Sequence, residues 1–212
     1  MDVRMFTVGP VAENCFIFRR DGSDRALIVD PGDEAPKLLG PIEQLGLTLD
    51  GILLTHTHFD HVGAVAPVAR ATGAEVWVPE IEKGVLANIN SFVPWPGFGP
   101  FEDYEAEHTL KGGERLELAG FEIDVLFTPG HSPGHVTFSI PDEAVVFSGD
   151  VLFHGSVGRT DLPGGDWDTL LESLRGLVDS LPAETTVYPG HMGITTLGAE
   201  RATNPFLAEL AR

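Results

Sequence analysis

Residues 55–61 of this 212-residue chain read Thr-His-Thr-His-Phe-Asp-His, directly after an apolar stretch, Gly51-Ile-Leu-Leu54. Four potential metal ligands, His56, His58, Asp60 and His61, therefore leave the end of a buried strand in close succession. Imidazole nitrogen and carboxylate oxygen suit zinc and related first-row divalent ions. Ligand geometry needs a rigid platform, and a core strand supplies one. The plain alternative, a polar loop carrying surface histidines, leaves so dense a cluster unexplained.

Further ligand types follow other apolar runs. His131 lies in Thr128-Pro-Gly-His-Ser-Pro-Gly-His135, after Phe121-Glu-Ile-Asp-Val-Leu-Phe127. That stretch places Phe121, Ile123, Val125 and Phe127 on one face, the period-two pattern of a half-buried strand. Asp150 follows Ala144-Val-Val-Phe-Ser-Gly149, and His191 follows Thr186-Val-Tyr-Pro-Gly190. Each sits just past a short strand with Gly or Pro nearby to turn the chain, and ligands at corresponding strand ends can meet at one sheet edge.

The set His56-x-His58-x-Asp60-His61, His131, Asp150 and His191 resembles that of the metallo-β-lactamase superfamily. Three more segments resemble its short glyoxalase II-like (hydroxyacylglutathione hydrolase-like) branch: Val29-Asp-Pro-Gly32, the stretch 155–166, and the stretch 195–207. The resemblance spans nearly the whole chain and implies an α/β (α+β) fold, the four-layer αββα sandwich with metals at one edge. It implies two divalent metal ions, zinc foremost and iron or manganese as alternatives. His56, His58 and His131 would hold the first metal, Asp60, His61 and His191 the second, and Asp150 would bridge them. Two such metals lie about 3.5–4 Å apart and can share a water.

The activity implied is a metallo-hydrolase, a thioesterase cleaving an acyl-thiol with a metal-bound hydroxide. A cation polarises the substrate carbonyl and stabilises the tetrahedral oxyanion. The thiolate leaving group, with a reference pKa near about 8.5, needs no separate general acid. Asp60 is the catalytic candidate, as a proton shuttle or as a ligand alone. Arg159 is the substrate-binding candidate, suited to a carboxylate, or else the partner of Asp161 or Asp166. His135 reads as a group behind the ligands, and His108 and His154 as ordinary polar histidines. Full-length glyoxalase II enzymes append a helical domain that helps hold glutathione. The short stretch after His191 leaves no room for one, so another thiol carrier is an alternative to glutathione.

The alternative within the fold is a mononuclear iron persulfide dioxygenase using His56, His131 and Asp150. Cysteine is more usual in that branch where this chain has His135. A non-catalytic, metal-stabilised interaction domain would explain the fold but not seven ligands.

Composition narrows the partners. The formal net charge is −19, from 13 Lys and Arg against 32 Asp and Glu. Without a basic cluster, binding a polyanion is disfavoured, so the expected partner is a small-molecule thioester, not nucleic acid or membrane. Oligomeric state is not read from the sequence. No apolar run reaches the roughly 18 residues of a membrane span, and the N-terminus lacks a signal-peptide pattern. With the single Cys15 as a buried structural thiol, the expected location is cytoplasmic.

One domain over residues 1–212 is expected. Strands are predicted at residues 3–8, 14–19, 25–30, 51–55, 75–78, 115–118, 121–128, 136–140, 144–148 and 185–188. The clearest helix is 166–180, with Asp166 as N-cap and Pro182 beyond its end. Segments 34–45 and 61–72 read helical despite Pro41 and Pro67, and a last helix would open with Asn204 and Pro205. Residues 91–104, rich in Phe, Trp, Pro and Gly, form a long aperiodic loop. It reads as a wall over the metals, a subunit contact, or aromatic packing on the body.

Overall fold

A computed structural model describes residues 1–209. The chain forms two compact units, one comprising Met1–Leu110 and Glu117–Phe121, the other the remaining described residues.

The first unit is built on a six-stranded sheet in the order β1-β2-β3-β4-β5-β6. Its strands are β1 (Asp2–Val8), β2 (Glu13–Arg19), β3 (Arg25–Val29), β4 (Thr48–Leu53), β5 (Val76–Pro79) and β6 (His108–Leu110). The first two pairings are antiparallel, and β3 through β6 are parallel. Parallel neighbours need long crossovers. One carries α1 (Ala35–Gln44); the next carries α2 (Phe59–Val62) and α3 (Val65–Thr72); the last carries α4 (Lys83–Leu86) and the aromatic loop. Leu38 and Ile42 of α1 and Val65 and Val68 of α3 close over Ile17, Ile28, Ile52 and Val76 of the sheet.

This topology places the motif. Parallel strands β3, β4 and β5 end side by side, so Asp30, the run 55–61 and the turn Glu80–Glu82 leave the same edge. Antiparallel β2 begins there, which adds Glu13. Crevices at the carboxyl ends of parallel strands are where open α/β sheets bind ligands.

The second sheet has the order β14-β13-β10-β9-β8-β7. Its strands are β7 (Arg115–Leu118), β8 (Phe121–Phe127), β9 (Val136–Ile140), β10 (Val145–Gly149), β13 (Thr186–Pro189) and β14 (Thr195–Thr196). A separate hairpin pairs β11 (Leu152–Phe153) with β12 (Ser156–Val157). β10 and β13 run parallel, so Asp150 and His191 emerge together, with Gly190 N–H donating to the Gly149 carbonyl at 2.8 Å. β9 is antiparallel to β10, which brings the loop holding His131 to that edge too. Helix α5 (Trp167–Ser180) buries Leu170, Leu174 and Leu177 against Val146, Val151 and Val187. Asp166 is its N-cap, accepting from Thr169 N–H at 2.8 Å. This carboxyl is held below its usual range by that hydrogen bonding.

The helix expected over 34–45 is present as α1, and the structure corrects several other expectations. α1 runs through Pro41, whose cost to a helix interior is met by the packing of Leu38 and Ile42 on either side. Segment 61–72 divides into α2 and α3, with Pro67 in the first turn of α3, where a missing N–H is tolerated. Phe127 is 46% exposed rather than buried with Phe121, Ile123 and Val125; it flanks Gly112 at the strand end, where a Cβ would meet the Phe127 side chain. Helix α6 (Leu197–Thr203), capped by Thr196, precedes Asn204 instead of following it. Asn204 Oδ1 still accepts Phe206 N–H at 3.0 Å as the expected cap, and among the described residues the 3-10 turn Leu207–Glu209 follows; the rest of the expected helix lies outside the described residues. Strands β6, β11, β12 and β14 are too short to show periodicity. Among the described residues no helix is long and apolar enough to cross a membrane.

Replacing Leu174, fully buried on α5, by alanine should destabilise the protein by about 2–5 kcal/mol. The neighbouring Arg175→Ala, at an exposed position, should stay within about 0.5 kcal/mol. Thermal unfolding of the two variants reads the difference.

Candidate metal centre

In the first unit, the run after β4 is held from behind by carboxylates. Asp30, 1% exposed, accepts Thr55 N–H at 2.8 Å through Oδ1, and Thr55 O–H at 2.6 Å and His61 Nδ1 at 3.0 Å through Oδ2. A carboxylate only accepts, so His61 carries its proton on Nδ1 and a lone pair on Nε2. The Thr55 hydroxyl gives its one proton to Asp30 and must accept from His56 Nδ1, 3.0 Å away. The His56 lone pair is therefore also on Nε2. These tautomers are assigned from the hydrogen-bond network.

His56 Nε2 lies 3.1 Å from His58 Nδ1, and the His56 and His61 rings are 4.1 Å apart between centroids. Asp60 Oδ2 stands 3.9 Å from His61 Nε2. Asp30, His56 and His61 have ligand-type atoms all within 4.8 Å of one another. Glu13, fully buried, adds a carboxylate 3.8 Å from His61 Nδ1. Glycine is required at Gly32, where a Cβ would collide with the Asp60 carbonyl oxygen.

The second unit repeats the scheme with other groups. His131 Nδ1 donates to the Arg159 carbonyl at 2.7 Å, which leaves a lone pair on Nε2. That nitrogen is 3.4 Å from Asp150 Oδ2, and His191 Nε2 is 3.5 Å from the same oxygen. His135, fully buried, accepts Asp150 N–H on Nε2 at 3.0 Å, so its Nδ1–H donates to Thr128 Oγ1, 3.0 Å away. Both ring nitrogens of His135 thus serve to hold the Asp150 backbone. Buried Glu200 accepts Thr195 O–H at 2.6 Å and Gly155 N–H at 2.8 Å, which ties the loop after Asp150 to the strand after His191.

These donor sets fit divalent cations. A neutral imidazole lone pair facing a carboxylate oxygen is a repulsive contact until a cation or proton lies between them. Asp150 Oδ2 faces two imidazole nitrogens at once, the arrangement of a bridging ligand. His56, His61 and His131 each keep the lone pair on Nε2 and give Nδ1–H to a protein acceptor, the usual support of a metal-bound histidine.

The other predicted residues separate. Arg159 pairs with Asp161, Nε to Oδ1 and Nη2 to Oδ2, both at 2.6 Å. That pairing holds the Asp161 carboxyl at about 2 and raises the Arg159 guanidinium. Cys15 is buried, and burial together with nearby Glu13 and Asp30 pushes its thiol well up, which suits a structural role. His108 stacks on Trp77 and contacts Glu75 at 2.6 Å, and His154 is exposed. In the aromatic loop, Trp95, Phe98 and Phe101 surround Phe59, with centroid distances of 6.1, 4.9 and 5.9 Å. A cavity of about 330 Å³ opens beside them, lined by Pro10, Val11, Asp60 and Gly63 among others.

The family model of the metallo-beta-lactamase superfamily matches residues 8–191. The chain belongs to the metallo-β-lactamase superfamily. It is 38% identical to hydroxyacylglutathione hydrolase GloC of Haemophilus influenzae over 220 residues, 98% of each chain. It is 41% identical to the probable metallo-hydrolase YqgX of Bacillus subtilis over 212 residues, again 98% of each. Among solved structures, BLEG-1 B3 metallo-beta-lactamase superposes with a TM-score of 0.92 at 39% identity, covering 97% of this chain and 99% of that one. TTHA1623 in a di-iron-bound form gives 0.79 at 43% identity, covering 96% and 100%. The metallo-β-lactamase type of fold expected from the sequence is the fold these structures share. The protein is a metallo-β-lactamase superfamily hydrolase with a candidate His and Asp site for divalent metal.

Sequence reasoning passed over Asp30, Thr55, Thr57, Glu82 and Glu200 as functional groups. Asp30 had a signal, a carboxylate directly after an apolar strand in Val29-Asp-Pro-Gly32. Glu82 and Glu200 had none, since each reads as one more acidic surface residue.

The Asp161 carboxyl carbon should titrate by NMR with a midpoint of about 2, and Arg159→Ala should return it toward about 3.9. A pKa lowered by folding contributes stability above the unfolded value and loses it as pH falls toward the folded one. Exposure of the pair keeps that contribution small.

Proposed function

We propose that the protein is a glyoxalase II-like thioesterase that hydrolyses a small acyl-thiol at two divalent cations. His56, His58 and His131 would hold one cation and Asp60, His61 and His191 the other, with Asp150 as a ligand common to both. The observation that carries the reading is Asp150 Oδ2 facing the Nε2 atoms of both His131 and His191, with the His131 proton committed to the Arg159 carbonyl. Whole-length similarity to a hydroxyacylglutathione hydrolase supports the substrate class. Zinc is the expected metal, and the di-iron form of a 43% identical protein makes iron the first alternative.

Bound cations supply Lewis acidity and bring the pKa of a water near neutrality. The chain's own groups do the rest. Asp30 and the Arg159 carbonyl fix the imidazole tautomers, and His135 fixes the Asp150 backbone. Asp60 Oδ2, half-buried beside His61, is positioned to take a proton. Arg159 can exchange Asp161 for a substrate carboxylate without loss of charge balance, which makes it the candidate substrate contact. The cavity beside Phe59 and Phe98 is the proposed seat for the apolar part of the substrate, with the aromatic loop as its wall. A net charge of −19 favours a small substrate over a polyanion.

Zinc-reconstituted protein should release free thiol from S-lactoylglutathione, with Asp150→Ala as the blank and a chelator abolishing turnover. No turnover above the blank would overturn the thioesterase reading for this carrier. Oxygen uptake with a persulfide would then establish the mononuclear iron dioxygenase instead. Trp95→Ala should raise KM severalfold with little change in kcat; an unchanged KM with a lower Tm would mean that the loop only packs.

A further inference from the structure

Thr57 stands between the two histidines of the His56-x-His58 pair, and its partner is a residue the motif does not contain. Glu82 Oε2 accepts Thr57 N–H at 2.7 Å and Thr57 O–H at 2.9 Å. Both residues are buried, Glu82 at 4% exposure and Thr57 at 3%. A buried carboxylate is costly unless hydrogen-bonded, and charge-assisted bonds of this kind are about twice as strong as neutral ones.

The position of Glu82 follows from the topology. It ends the 3-10 turn Glu80–Glu82 directly after β5, which runs parallel to β4, the strand that delivers the motif. His58 has extended backbone, with φ −62° and ψ 146°, and alternate residues of extended chain face opposite ways. Holding Thr57 by both its N–H and its O–H therefore fixes the turn of backbone from which His56 and His58 project. That hold acts beside the Thr55 contact to His56 Nδ1 in setting the 3.1 Å approach of His56 Nε2 to His58 Nδ1.

We propose that Glu82 is a positioning residue for the metal centre, acting through Thr57 to keep His56 and His58 in ligating geometry. The inference rests on the metal centre proposed above. Glu82 is not one of the proposed ligands; it supplies an acceptor for the N–H and the O–H of Thr57, the residue between two of them. Loss of a group that orients metal ligands typically lowers metal affinity about 10–100-fold.

The test measures zinc affinity by chelator competition, and the visible spectrum after cobalt substitution, on wild type, Glu82→Ala and Glu82→Gln. The thermal unfolding of each metal-free protein is recorded alongside. Glu82→Ala should bind zinc about 10–100-fold more weakly and show an altered cobalt spectrum. Glu82→Gln, whose amide oxygen can accept both Thr57 donors, should recover affinity to within a few-fold. Equal zinc affinity in wild type and a folded Glu82→Ala overturns the proposal, as does a Gln variant no better than Ala. Should Glu82→Ala not fold, Thr57→Val is compared with Thr57→Ser, which alone retains the hydroxyl. Weaker zinc binding only in the Val variant supports the proposal, and equal binding overturns it. Wild type that binds no zinc would instead remove the metal centre itself, so the two failures are distinguishable.

Discussion

One carboxylate, Asp30, sets the state of two imidazoles. Its two oxygens receive three donors, the N–H and O–H of Thr55 and the Nδ1–H of His61. Because the Thr55 hydroxyl is committed to Asp30, the Nδ1 of His56 must donate to Thr55, and the lone pairs of both histidines are directed outward on Nε2. Asp30 reaches this position in a left-handed backbone conformation, φ 49°, uncommon for a residue with a side chain. Close packing at Gly32 accompanies it, and hydrogen bonds at both carboxylate oxygens hold the turn. A neutral side chain of similar size would not order those protons in the same way.

The motif then reads as two interleaved sets. Thr55, Thr57 and Phe59 are anchors, held by Asp30, by Glu82 and by the aromatic cluster of Trp95, Phe98 and Phe101. His56, His58 and Asp60 alternate with them and carry the proposed ligating atoms. Alternation as far as His58 is the ordinary consequence of extended chain, continued past the last paired residue of β4; Phe59 and Asp60 already belong to α2. The second unit lacks such a run, since its three ligand types come from three separate connections. There the anchoring passes to His135 and Glu200, which tie those connections together through backbone N–H groups and a threonine hydroxyl.

How much of this was legible in the sequence follows from the range of the interactions. The candidate ligands stood out because each follows an apolar strand, a local pattern. Helix α5 was legible from its leucine spacing and Asp166. Glu82 and Glu200 were not, because their roles arise from partners 25 and 45 residues away, and nothing beside them in the chain marks them. The exposure of Phe127 was hidden for a similar reason: strand alternation says which side a residue faces, not whether the sheet is covered there. Asn204 serves both sides: its amide N–H donates to Glu200 and to the Ser156 carbonyl at the end of α6, while its Oδ1 accepts Phe206 N–H at 3.0 Å, the capping bond expected of it.

The strength of the anchoring has a physical reason in the ligands themselves. Imidazole lone pairs and carboxylate oxygens brought within 3–4 Å repel one another, and a chain carrying 32 acidic residues adds to the negative potential. Left to themselves, such side chains would turn away, and a cation would have to reorganise them on binding. Placing saturated acceptors behind each tautomer-fixed imidazole moves that reorganisation into folding, where packing of the two sheets against their helices offsets it. Affinity then benefits from preorganisation, and cation binding in turn stabilises the folded state in proportion to it. The residues that decide how well such a centre works are therefore as much the buried carboxylates and hydroxyls behind the ligands as the ligands in the motif.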